Sequence, residues 1–315
     1  MENKLKGKIM QGVGGLYTVR VLDEGASLFG TTLDCRARGS FRHSHITPLA
    51  GDFVTLLPAE EGSSDARQYV IDEIVDRRSA LIRPPLANLD YIFVTMAAAS
   101  PIPVLSTVNK LISIAEFNKI EPVIVITKSE LDTSYAEELY TLYKKCGFDV
   151  FMLSAVKDTG IEPLEEYIAN NLKNGKTAAF AGASGIGKST LLNRLFPTLE
   201  LSTSEISRKI QRGRHTTRKA ELFPLSDASD CGYIADTPGF SMLDFERFDF
   251  FERDDLTDTM REFSAYVGMC KYTKCTHTKE EGCAIIQAVK DGDIPKSRHE
   301  SYCELFETLK KKTKW

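Results

Sequence analysis

No stretch of the sequence approaches the ~20 consecutive apolar residues that a membrane-spanning helix needs, so no membrane partner is expected. Met1-Glu2-Asn3-Lys4 is not followed by the apolar run of a secretory signal, and the expected location is the cytoplasm. The seven cysteines include no C-x-x-C pair, and an odd number argues against a disulfide framework. Internal repeats and low-complexity segments are missing too. The net charge is only −4, which gives no global pull toward nucleic acid.

What remains is an ordinary globular composition, 42% hydrophobic and 27% charged, in a chain of 315 residues with room for two or three domains. Charge is uneven along it. Residues 1–50 carry seven basic against four acidic side chains, a local +3. Residues 201–220 carry Arg208, Lys209, Arg212, Arg214, Arg218 and Lys219 against Glu205, a local +5. Such patches either bind RNA backbone or are solvated faces.

Over residues 1–75, short strand-like runs (Leu16–Leu22, Leu28-Phe29, Phe53–Leu57) alternate with turns such as Gly14-Gly15, which predicts a small β-barrel. Glu60 to Asp65 reads as an exposed hairpin loop, and Arg83-Pro84-Pro85 as an extended linker. From Asn88 the pattern becomes strand–helix alternation. Tyr91–Val94 and Pro122–Ile126 are continuous apolar runs of strands buried on both faces. Val104, Val108, Leu111, Ile112 and Ala115 recur at helical spacing between them. Val150–Leu153, Thr177–Ala181 and Tyr233–Ala235 are further strands, giving a doubly wound α/β domain. Residues 244–315 turn helical around a Cys/His cluster.

Gly182-Ala183-Ser184-Gly185-Ile186-Gly187-Lys188-Ser189, followed by Thr190, fits the phosphate loop G-x-x-x-x-G-K-[ST] between an apolar strand and an apolar helix. Its backbone N–H groups can converge on a phosphate at the helix N-terminus. Lys188 would reach the β- and γ-phosphates, and Ser189 would ligate Mg²⁺. Asp236, opening Asp236-Thr237-Pro238-Gly239 after a strand, suits a Mg²⁺ carboxylate, and Gly239 can offer its N–H to a γ-phosphate. That tetrapeptide alone could be a plain turn. Thr127-Lys128-Ser129-Glu130 closes a buried strand where open α/β sheets bind ligands. A carboxylate there can accept from guanine N1–H and N2–H₂, a donor pair adenine lacks. Lys128 can lie along the purine face, and after Ser154 the N–H of Ala155 can reach guanine O6. These motifs come in rotated order, with base recognition before the phosphate loop.

Cys270, Cys275, His277 and Cys283 form C-x4-C-x-H-x5-C, the donor set of one closed structural zinc site; a redox-active cysteine pair is the alternative. His215 is the catalytic candidate, its alternative being a surface histidine in a basic loop. Phe240 stands after Asp-Thr-Pro-Gly, where Ras-like GTPases carry a water-orienting Gln, and it cannot do that task.

With the permuted order, barrel and Cys/His cluster together, and with Arg83–Asp90 and Gly213-Arg214-His215-Thr216-Thr217, the whole chain resembles the ribosome small-subunit-dependent GTPase A family. The resemblance implies an N-terminal OB-fold barrel (residues 1–75), a circularly permuted P-loop GTPase domain (76–243) and a mostly helical zinc-binding domain (244–315). It further implies GTP hydrolysis on the small ribosomal subunit and its rRNA late in maturation, with Mg²⁺ and GTP/GDP bound to a monomer. Thr216 and Thr217 would belong to switch I, one of them on Mg²⁺, and His215 would be catalytic. One departure is Glu130, where the family usually has Asp; Asp132 is the fallback base reader. A large-subunit assembly GTPase, an ATPase, and an RNA-binding nucleotide sensor without turnover are the competing readings.

Overall fold

The computed structural model describes residues 4–39, 41, 46–59, 69–81, 84–197, 199, 220–236 and 251–311. Thr216, Thr217, Gly239, His215, Phe240 and the loop at Glu60–Asp65 therefore lie outside the described residues. The chain forms two compact units, the first from Met1–Tyr91, Glu166–Ala179 and Phe196–Phe240, the second from Ile92–Glu165, Phe180–Leu195 and Ser241–Trp315.

In the first unit β1 (Leu5–Val13), β2 (Leu16–Val21), β3 (Thr32–Ala37), β4 (Phe53–Pro58) and β5 (Tyr69–Ile74) close into a barrel in the order β1-β2-β3-β5-β4. Gly14 and Gly15, at φ 59° and 82°, supply the left-handed pair that a tight β1–β2 turn requires. Ile9, Val19, Cys35, Val54, Leu56 and Ile71 fill the barrel. All its pairings are antiparallel except β3 with β5, which is parallel, as in an OB-fold. Leu28-Phe29, expected as a strand, instead lies in consecutive turns, with Phe29 N–H on Ala26 O and Thr31 N–H on Leu28 O. A two-stranded ladder, β6 (Ala80–Leu81) with β7 (Leu86–Ala87), follows. It is stitched to the barrel, because a Cβ on Gly51 (φ 91°) would sit 2.0 Å from Ala87 O.

The other strands are β8 (Tyr91–Ala97), β9 (Glu121–Thr127), β10 (Asp149–Met152), β11 (Thr177–Ala181), β12 (Glu221–Pro224) and β13 (Tyr233–Asp236). They run in the order β10-β9-β8-β11-β13-β12, with β12 antiparallel at the edge. Within the first unit, Thr177 pairs with Tyr233 and Ala179 with Ala235 in parallel register. Within the second, β9 and β10 are parallel, and β9 is buried from Pro122 onward as its apolar run requires.

Helices α1 (Leu105–Phe117), α2 (Thr133–Lys145), α3 (Ile161–Asn171) and α4 (Lys188–Leu195) follow β8, β9, β10 and the phosphate loop. Val108, Leu111, Ile112 and Ala115 form the buried face of α1, whereas Val104 is its exposed N-cap. The C-terminal part contains two 3-10 turns (Arg253–Thr259, Arg261–Phe263), α5 (Ala284–Asp291) and α6 (Lys296–Lys311) around Leu256, Phe263, Ile285, Tyr302 and Phe306. Its helix α6 packs on the nucleotide half of the second unit through Arg298, a fully buried guanidinium. Arg298 donates to Glu262 at 2.6 Å and to Asn109 of α1 at 2.9 Å. Pairing of this kind offsets the cost of burying a charge. No helix among the described residues is long and apolar enough to cross a membrane.

Candidate nucleotide and metal sites

The phosphate loop leaves β11, buried along its whole length, and enters α4 at Lys188. Gly185 and Gly187 take φ of 80° and 90°, where a side chain would be strained. Gly182 serves a different end: a Cβ there would lie 2.3 Å from Thr95 O, so only glycine lets the loop pass that close to β8.

The base-recognition motif is fastened to this loop directly. The Thr127 hydroxyl lies 2.5 Å from Ile186 O and 3.1 Å from Met96 O. The Lys128 ammonium donates to Gly185 O at 2.6 Å and to Ser100 O at 2.5 Å. Its charge is therefore engaged on the phosphate loop, and only its methylene stem is left for a purine face. Sequence reasoning missed these two clamps, since neither the partner carbonyls nor their direction has a residue signature.

Glu130 Oε2 is buried and has no hydrogen-bond partner among the described residues. An unsatisfied buried carboxylate oxygen is costly, ~1–3 kcal/mol or more, unless a ligand supplies the donor. Asp132 is already engaged: its Oδ1 accepts from Tyr135 N–H at 2.9 Å and caps α2. Ser154 and Ala155 open a small loop closed by reciprocal bonds between Ser154 and Thr159, at 2.9 and 3.1 Å. Ser154 Oγ accepts from Lys157 N–H. Gly160 makes the loop possible, as a Cβ there would meet Met152 O at 2.2 Å. Ser129 N–H bonds to Leu153 O at 3.3 Å, joining the two base-side loops. Arg194 of α4 donates to Asp158 at 2.7 Å and Glu165 at 3.2 Å, tying the helix after the phosphate loop to the Ser154 loop.

Asp236 ends β13 in the first unit, with Glu221 of β12 as its cross-strand partner. Burial, and then the Asp236 charge, push the Glu221 carboxyl above its usual range. Glu221 was not singled out in the sequence, where nothing marks it.

The Cys/His cluster is assembled. The ligand atoms of Cys270, Cys275, His277 and Cys283 all lie within 4.8 Å of one another. His277 Nδ1 is 3.5 Å from both Cys270 and Cys283 Sγ, which are 3.9 Å apart. Tetrahedral zinc bonds of ~2.3 Å to sulfur and ~2.0–2.1 Å to nitrogen place such pairs about 3.5 and 3.8 Å apart, so the donors fit the ion. Two backbone N–H groups at the start of α5 point at sulfur, Ala284 at Cys270 and Ile286 at Cys283. Burial pushes the Cys275 thiol up to about 12. Thiolates gathered here thus need a cation to compensate them.

The chain is similar to known proteins along its whole length. The RsgA GTPase family pattern matches residues 74–246, and the RsgA N-terminal domain pattern matches residues 6–64. A protein of Alkaliphilus metalliredigens named small ribosomal subunit biogenesis GTPase RsgA is 37% identical, covering 98% of this chain and 99% of its own length. One of the same name from Clostridium beijerinckii is 38% identical, covering 99% of this chain and 100% of its own. Among solved structures, YjeQ from Thermotoga maritima aligns with a TM-score of 0.78 at 29% identity, covering 98% of this chain and 100% of that one. YloQ, described as a circularly permuted GTPase, aligns at 0.74 with 31% identity, covering 99% and 98%.

Proposed function

Since this chain belongs to the RsgA GTPase family, we propose that it hydrolyses GTP to GDP and phosphate on the small ribosomal subunit, assisting its late maturation in the cytoplasm as a monomer that touches rRNA. The observation that carries the reading is the fastening of Thr127 and Lys128 to the Gly185–Ile186 carbonyls beside the unpartnered Glu130 oxygen. These contacts support the reading of a phosphate cradle joined to a carboxylate that reads the base. The names of the relatives support the small subunit as partner.

In this reading the N–H groups of Gly185 to Lys188, continued by Ser189 and Thr190, cradle the phosphates that Lys188 pairs with. Ser184 and Ala183 carry the loop out of β11, and Gly239 donates its N–H to the γ-phosphate. Glu130 accepts from guanine N1–H and N2–H₂ while Ala155 N–H donates to O6. Ser189, Asp236 and one of Thr216 and Thr217 would hold Mg²⁺, which when bound neutralises charge on the phosphates. Phe240 has no group with which to orient water, so His215 is assigned that task when the basic segment Arg208–Lys219 meets a partner. Cys270, Cys275, His277 and Cys283 would hold one zinc ion as a structural centre.

Nucleotide competition tests the base reading. Losing hydrogen bonds to a charged group costs about 1.5–3 kcal/mol, roughly 10- to 100-fold in affinity. GDP should displace a fluorescent guanine nucleotide at correspondingly lower concentration than ADP. Equal competition would return the protein to the ATPase reading.

A further inference from the structure

Lys8 of β1 is fully buried, and the nucleotide chemistry makes no use of it. Its ammonium donates to Gly175 O at 2.6 Å and to Thr177 Oγ1 at 2.8 Å. It also lies 4.4 Å from the centre of the Phe53 ring and 4.5 Å from that of Tyr233. Phe53 belongs to barrel strand β4. Thr177 and Tyr233 are register partners, the first pair of β11 and β13. One barrel side chain therefore grips the N-terminal ends of both strands.

The opposite ends of those strands carry the nucleotide chemistry. β11 runs into Gly182 five residues after Thr177, and β13 ends at Asp236 three residues after Tyr233. At ~3.3 Å per residue of parallel strand, about 17 Å of chain runs from Thr177 to Gly182 and about 10 Å from Tyr233 to Asp236. The surroundings leave the grip of Lys8 little slack. Gly175 turns at φ 75°, and a Cβ there would meet the Phe53 ring at 3.3 Å. Asp90 holds Thr177 from its backbone, accepting its N–H at 2.8 Å, and is itself paired with Arg78. A second tie comes from β2, where Arg20, nearly buried, donates to Ser226 O between β12 and β13 at 3.5 Å.

Barrel filling alone does not call for an ammonium. An apolar side chain of equal length would occupy the space without the desolvation cost, and a buried charge is weak evidence for stability. What the ammonium adds is direction: two donated hydrogen bonds and two ring faces fix where β11 and β13 start relative to the barrel.

We propose that Lys8 is a positioning residue that couples the barrel to the strands carrying the phosphate loop and Asp236, so that nucleotide binding is felt in the barrel. The inference rests on the GTPase reading. Backbone hydrogen exchange of the full chain tests it, with and without saturating GDP, in the native protein, in Lys8→Met and in Thr177→Val. GDP should slow exchange in the native protein both at the phosphate loop and in β1. Lys8→Met should lose the slowing in β1 while keeping GDP affinity and the slowing at the phosphate loop. Thr177→Val, which removes one acceptor and little volume, should lose part of it, and this milder variant decides the matter if Lys8→Met does not fold. Native-like slowing of β1 in Lys8→Met, or no slowing of β1 in the native protein, would overturn the coupling. A native protein that binds no GDP would instead remove the GTPase reading, and the coupling with it.

Discussion

Glu130 and Asp132 stand two residues apart at the end of β9, and their surroundings separate their roles. Asp132 caps α2, whereas Glu130 Oε2 is buried without a partner among the described residues. Glu130→Ala should weaken GDP binding by roughly 10- to 100-fold and erase the preference over ADP. Asp132→Ala should keep the preference and lose about 1 kcal/mol of stability with the cap. Isothermal titration and thermal unfolding of the two variants check this; the reverse pattern would make Asp132 the base reader. Lys8 carries a pH prediction. Burial lowers its pKa from 10.5 to about 7 against the opposing pull of Asp90, with Arg78 lowering it further. Between those values the unfolded chain binds the proton that the folded chain releases, so stability rises with pH across the window and is flat below it. Native protein should thus gain Tm relative to Lys8→Met from pH 7.5 to 9.5; parallel curves would contradict it. Residue identity exposed the first case and hid the second. A carboxylate after Thr-Lys-Ser marks Glu130 as a candidate base reader, but Lys4, Lys6 and Lys8 alternate like a solvent face. Only the chain near Gly175, far away in sequence, buries the last of them.

At the scale of elements, the sequence was most legible where burial is two-sided. β9 is apolar from Pro122 to Ile126 and β11 from Ala178 to Ala181 because both faces are buried there, and they were found with nearly their observed bounds. The Leu28-Phe29 segment was misread because an apolar pair gives no period, and its hydrogen bonds are local turns. The parallel closure of β3 on β5 left no trace in composition, since it depends on residues 34 apart in sequence meeting at Ala37↔Ile71 and Arg36↔Val70. The Cys/His cluster was legible from spacing alone, because four donors gathered at one point leave few ways to be arranged. Its own fold is mostly turns, and Cys283 both faces the cluster and caps α5, its Sγ accepting from Ile286 N–H. Structural zinc supplies ~10–16 kcal/mol of apparent binding free energy at neutral pH. Elemental analysis should find one zinc per chain, lost in Cys275→Ser, and stripping the metal should speed exchange of the first α5 amides. Protein purified without chelator and containing no zinc would refute the site.

At the scale of the molecule, the rotated motif order joins the nucleotide site to both flanking modules. In the sequence the Cys/His part follows Gly239, and its helix α6 is held on α1 by Arg298 through Asn109. The barrel precedes everything and reaches β11 and β13 through Lys8. Within the first unit the barrel is thus tied to the strand that ends at Asp236, and within the second α6 is tied to α1. The order of motifs was readable directly, whereas Arg298 and Asn109 were not, because a buried arginine looks like any surface arginine on an amphipathic helix. Unaided, Phe240 in place of a water-orienting residue should hold turnover near the ~10⁻⁴–10⁻² s⁻¹ of isolated Ras-like enzymes. RNA phosphates neutralising Arg212, Arg214 and Arg218 would bind the segment that carries His215 in a salt-sensitive way. The most direct test is GTP turnover at low salt with and without purified small ribosomal subunits, in native protein and in His215→Ala. The account predicts stimulation by orders of magnitude, lost in His215→Ala while binding to the subunit persists; equal turnover with and without subunits would contradict it.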